Sequence, residues 1–89
     1  MKLQIRYFAS IREVLGEGES ITFPMEAYSV PAATVGGLRD WLCTRSTAHA
    51  QVLARGRAVR AAFEQQLCSD DQPLRDGAEV AFFPPVTGG

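Results

Sequence analysis

At 89 residues, with 46% hydrophobic and 21% charged side chains, the chain has the size and composition of one globular domain, with room for a modest core but not for one that also encloses a substrate cavity. A self-contained enzyme, a disordered tail and a disulfide scaffold are all poor descriptions of it. A formal net charge of −1, with acids and bases interspersed, argues against nucleic acid and anionic lipid as partners.

In KLQIRYF, Leu3, Ile5 and Tyr7 fall on one face and Lys2, Gln4 and Arg6 on the other, which predicts a half-buried strand. The same alternation stands where a secretion signal would show a charged segment and an apolar block, and no apolar run nears the roughly 20 residues of a bilayer span. The expected location is therefore cytoplasmic, with no membrane partner. In SIREVLG, Ser10 as N-cap and Glu13 three residues on form a capping box, Ile11, Val14 and Leu15 make an apolar stripe, and Gly16 closes a short helix. GEGES supplies turn residues, and Ile21 and Phe23 in SITF predict a strand pairing back on the first. Its GxG lacks the third glycine and the following helix of a nucleotide loop.

PMEAYSVPAA, with two prolines and no steady period, reads as a surface loop over residues 24–33. In TVGGLRDWLCTR, Thr34 is the expected N-cap and Val35, Leu38, Trp41 and Leu42 share one side, the pattern of the main core helix. Gly36 and Gly37 fall in its first turn, where each costs up to about 1 kcal/mol relative to alanine. That leaves two readings open, a frayed turn or the close approach of another backbone. TAHAQVLARG predicts a further short helix stopped by Gly56. Arg39, Arg45, Arg55, Arg57 and Arg60 form the one local basic excess, read as a solvated face, with docking to an acidic partner as the alternative.

AVRAAFEQQLCSDDQPLRDGAEVAFF predicts two or three strands with turns at SDD and RDG. Asp70, Asp71 and Asp76 fit turn chemistry, since their spacing lacks the alternating ligands and closing glutamate of a calcium loop. Cys43 and Cys68 have no CxxC spacing and His49 is the sole histidine, so no metal site is expected and both cysteines read as small, at least half-buried hydrophobes. No P-loop, HExxH or GxSxG motif is present, and a serine relay through His49 is disfavoured beside a packing role. An early hairpin, a helix across one face and late returning strands close most simply as a mixed sheet. The fold class is α+β: a β-grasp, with one main helix packed across the sheet and short additional helices.

The distinctive stretch is EVAFFPPVTGG. Alternation buries Val80 and Phe82 and turns Ala81 and Phe83 outward, so Phe83 either meets a partner or packs beneath a loop. Pro84 and Pro85 lack amide donors and fix φ near −65°, ending the ladder. This divides the chain into a domain over residues 1–83 and an extended tail, Pro84, Pro85, Val86, Thr87, Gly88 and Gly89, that can reach roughly 20 Å. Gly88 and Gly89 carry no Cβ, so a narrow channel can close around their backbone. The group presented is the α-carboxylate of Gly89, ionised at neutral pH, and a carboxylate must be activated before a nucleophile can attack it. Adenylation by ATP in a partner enzyme would do so, and the carrier itself then needs no catalytic side chain.

From MKLQIRYFASIREVLG through TVGGLRDWL to PLRDGAEVAFFPPVTGG, the chain resembles the MoaD-type sulfur carriers, the small subunits of molybdopterin synthase in the ubiquitin-like β-grasp superfamily. The resemblance implies that a MoeB-type activating enzyme, using ATP, adenylates Gly89, and that sulfur replaces the AMP to give a thiocarboxylate. It implies further that the tail enters a MoaE-type large subunit in a heterotetramer and gives its sulfur to cyclic pyranopterin monophosphate. By the same resemblance Gly88 is the slim position behind the reacting group and Phe83 part of the large-subunit contact, with no cofactor bound by this chain. Sulfur carriers for thiamin thiazole or tRNA thiolation, and a β-grasp module whose tail is never activated, are the alternatives. FEQQ stands where the family commonly has an asparagine-containing turn.

Overall fold

The computed structural model describes residues 1–23 and 33–85. Its elements in chain order are β1 (Lys2–Tyr7), α1 (Ala9–Leu15), β2 (Gly18–Thr22), α2 (Val35–Cys43), α3 (Thr47–Leu53), β3 (Arg60–Phe63), β4 (Gln66–Cys68) and β5 (Glu79–Phe83). The strands form one sheet in the order β2-β1-β5-β3-β4. β1 and β5 run parallel and every other pairing is antiparallel. This is the expected mixed β-grasp sheet.

β1 alternates exposed and buried along its whole length because one face of the sheet carries the core. Leu3, Ile5, Tyr7, Ile21, Val80 and Phe82 from the strands join Ile11, Val35, Leu38, Leu42 and Leu53 from the helices in one buried cluster. Thr34 caps α2 as expected, its Oγ1 accepting the Gly37 N–H at 3.1 Å. Of the two readings of the glycine pair, close approach is the one realised at Gly36. Its N–H donates to the Asp70 carbonyl at 2.9 Å, and a Cβ there would lie 2.8 Å from Asp70 Cβ.

Two helix ends differ from expectation. α1 starts at Ala9 with Phe8 in the cap position and no side-chain cap, so Ser10 lies inside the first turn and no capping box forms. The cause is the sheet: Phe8 donates its N–H to the Phe82 carbonyl at 3.1 Å, and the chain must then turn at once, which it does with Ala9 at φ 54°. α3 ends at Leu53, short of Gly56. Arg39 takes the carbonyls of Leu53 and Ala54 at 2.5 and 2.7 Å, leaving them no reason to await further helical donors. Residues 24–32 of the expected loop lie outside the described residues.

The late region forms three strands. FEQQ makes the tight turn between β3 and β4, with Glu64 and Gln65 at φ 50° and 67°, a left-handed pair that asparagine and glycine adopt more readily. Glu64 is held there by the sheet: its N–H donates to the Glu79 carbonyl at 2.9 Å, and its Oε1 accepts the Glu79 N–H at 2.7 Å. At RDG, Gly77 turns at φ 84° while Asp76 Oδ1 accepts the Lys2 N–H at 2.7 Å.

Candidate docking site at the root of the tail

β5 follows its predicted alternation, with Val80 and Phe82 in the core and Ala81 and Phe83 on the opposite face. Register then sets their neighbours. Ala81 stands between Arg6 and Ala62, Ala62 is opposite Leu67, and Phe83 is opposite Arg60. The ladder bond from Phe8 to Phe82 brings Phe8 out on the same face. Arg6, Phe8, Ala62, Glu79, Ala81 and Phe83 line a groove of about 370 Å³.

The two alanines give this groove its floor and the two phenylalanines its walls. Ala81 is only 7% exposed, because the larger side chains around it shade a one-carbon side chain. Phe8 is 42% and Leu67 66% exposed, and large apolar side chains gathered in water on one sheet face mark a docking surface rather than a folding requirement. Arg6 and Glu79 approach to 4.0 Å beside it, Arg6 exposed and Glu79 half-buried, a separation that contributes little to stability.

Phe83 is half-buried and lines this groove, and Pro84 and Pro85 sit half-buried after it, with no strand pairing. Val86, Thr87, Gly88 and Gly89 lie outside the described residues. Sequence reasoning named Phe83 but missed Phe8, Ala62 and Leu67. The available signal for Phe8 was its phase, since it continues the outward series Lys2, Gln4, Arg6 with an aromatic ring.

His49 belongs to a polar network between α3 and the sheet. Its Nε2 donates to Glu19 Oε2 at 2.9 Å, its Nδ1 hydrogen-bonds Ser46 Oγ at 2.7 Å, and Tyr7 Oη donates to the same Glu19 oxygen at 2.7 Å. Ser46 Oγ also accepts the His49 N–H at 3.1 Å as the N-cap of α3. Burial tends to raise the Glu19 carboxyl, but the donors at His49 and Tyr7 and the charge of Arg45 outweigh it and hold the group below the usual carboxylate range. Burial first, then the Glu19 carboxylate, pushes the Tyr7 phenol far above its ordinary value, so Tyr7 remains a donor.

The arginines are not one solvated face. Arg39 is buried at 5% exposure, Arg45 stacks 5.2 Å from the Trp41 ring centre, and Arg55 bridges Asp40 and Asp70 at 2.7 and 2.8 Å; only Arg57 and Arg60 fit the simple description. Cys43 and Cys68 are free and half-buried, and burial pushes both thiols up. Among the described residues no group of three His, Cys, Asp or Glu side chains is placed to hold a metal ion. No helix among them is long and apolar enough to cross a membrane.

The sequence matches the model of the ThiS family over residues 5–89. It is 42% identical over 89 residues to a molybdopterin synthase sulfur carrier subunit of Escherichia coli (strain K12), covering 98% of this chain and 99% of that protein. It is 32% identical over 87 residues to the subunit of the same name in Haemophilus influenzae, with 98% and 99% covered. Among solved structures, it superposes with a TM-score of 0.64 at 23% identity on a chain of the complex of subunits 1 and 2 of molybdopterin-converting factor from Helicobacter pylori 26695, covering 100% of both chains.

Proposed function

The chain belongs to the ThiS family, and on that footing we propose that it is a sulfur-carrier small subunit of molybdopterin synthase that works through the α-carboxylate of Gly89. A carboxylate oxygen attacks the α-phosphorus of ATP in an activating enzyme and releases pyrophosphate. A sulfur nucleophile then displaces AMP, and the resulting thiocarboxylate gives its sulfur to cyclic pyranopterin monophosphate in the large synthase subunit. The catalytic side chains belong to those partners, and the work of this chain is presentation, in the cytoplasm where ATP is supplied.

The observation that carries this reading is the arrangement at the root of the tail. β5 is the central strand of the sheet, so the point of exit is rigid, and it emerges beside an apolar groove walled by Phe8 and Phe83. Docking there places Pro84 and Pro85 at the mouth of a partner's channel, their fixed φ keeping the chain extended. Gly88 then lets the channel close around the backbone. The names of the two relatives and the two-subunit complex support a large-subunit partner, and the domain division after Phe83 follows from the same reading.

The test is intact-mass measurement. The full chain, incubated with ATP, a sulfur source and a MoeB-type enzyme, gains the mass difference between sulfur and oxygen, and loses it again on addition of the large subunit with cyclic pyranopterin monophosphate. No gain with any activating enzyme would overturn the proposal.

A further inference from the structure

Pro84 lines a second groove, of about 540 Å³, between α1 and α3. Its apolar walls include Ile11, Val14 and Val52, and its charged ones are Glu13 and Arg57. The sequence pattern assigns Val14 to the apolar stripe of α1, yet it is 50% exposed. It is one of three large apolar side chains left in water among the described residues, and the other two, Phe8 and Leu67, belong to the sheet face described above.

Among the described residues the charges at this place also make no ion pair. Arg6, Arg12, Arg45 and Arg55 each meet a carboxylate, and Arg39 is taken by backbone carbonyls. Arg57 in the groove and Arg60 opposite Phe83 make no ion pair among the described residues, nor does Arg57 pair with Glu13 across the groove. Two guanidinium groups with no ion pair among the described residues thus flank the point where the chain leaves the sheet.

We infer that the groove between α1 and α3 is a second docking surface for the large synthase subunit, which seats an aliphatic side chain against Val14 and Val52 and a carboxylate on Arg57. This rests on the carrier reading. A protein that encloses the chain beyond Pro85 must close around Pro84, and Pro84 is common to the tail and the groove, so the groove lies inside that protein's footprint. The unpaired arginines set the sign of the charge that fits, and Val14 supplies apolar area that folding does not use.

Calorimetric titration of the full chain against the purified large subunit, at low and high salt, tests this. Val14→Asp and Arg57→Glu each weaken binding by roughly tenfold or more, and Arg57→Glu flattens the salt dependence of the affinity. Both side chains are solvated, so the variants should melt like the wild type; Val14→Ala, which cannot disturb α1, weakens binding several-fold. If the wild type binds and all three variants bind within about twofold of it, this inference is overturned while the carrier reading stands. If the wild type itself does not bind the large subunit, the carrier reading fails and this inference with it.

Discussion

Arg39 donates from Nε and Nη2 to the carbonyls of Leu53, Ala54 and Arg57, at 2.5 to 3.1 Å, and so anchors the end of α3 and the chain leading to β3 onto α2. Arg39→Met keeps most of the apolar stem but strands three carbonyls. We expect a loss of about 2 to 3 kcal/mol, seen as a lower urea midpoint at an unchanged m-value. Glu19 gives a pH signature. Because its carboxyl is held below its usual range in the folded chain, its contribution is fully present above the unfolded carboxylate pKa and disappears as pH falls through the lower, folded value. Thermal midpoints should therefore drop as the pH falls below the ordinary carboxylate range, and Glu19→Gln should flatten that part of the profile; a variant with the full wild-type drop would remove Glu19 from the explanation. Neither residue could be singled out from the sequence, because partners 30 positions apart for Glu19 and His49, or backbone carbonyls in a following loop, leave no periodic trace.

At the scale of elements, α2 shows where local rules hold and where they yield. Its cap, its apolar side and its span were legible from TVGGLRDWL because all three depend on residues a few positions apart. Its glycines were legible only as two alternatives, a frayed turn or a close approach, since helix propensity alone makes Gly36 a defect. The structure gives it a purpose: the loop after β4 crosses the first turn of α2 at a distance that admits no Cβ. Gly36→Ala should therefore destabilise the fold by about 1 to 3 kcal/mol, through overpacking, despite alanine's better helix propensity. Gly56→Ala, where an added Cβ meets nothing within 4 Å, should be neutral or slightly stabilising by comparison. Chemical denaturation of the pair measures the contrast. Equal effects would leave Gly36 as a propensity defect only. The end of α1 teaches the same lesson, because SxxE reads as a capping box until the ladder bond from Phe8 to Phe82 fixes where the helix can begin.

For the whole molecule, the decisive feature is that the strand ending at Phe83 is central and parallel to β1. The buried core among the described residues closes with Phe82, so deleting Gly89 should abolish the sulfur mass gain and shift the thermal midpoint by no more than about 1 °C. A large shift would mean that the tail helps hold the fold. The sequence by itself determined the elements and their class, because amphipathic period and proline placement are written in neighbouring residues. It also placed Phe83 on the outward face, since strand alternation is local. Only the tertiary structure decided what stands beside Phe83. Phe8 lies 75 positions earlier and arrives through the parallel pairing of β1 with β5, Ala62 arrives through the antiparallel pairing of β3 with β5, and Pro84 comes to share a groove with α1 and α3. Those neighbours are set by strand order and register, which are properties of how the whole chain closes its core and not of any segment within it.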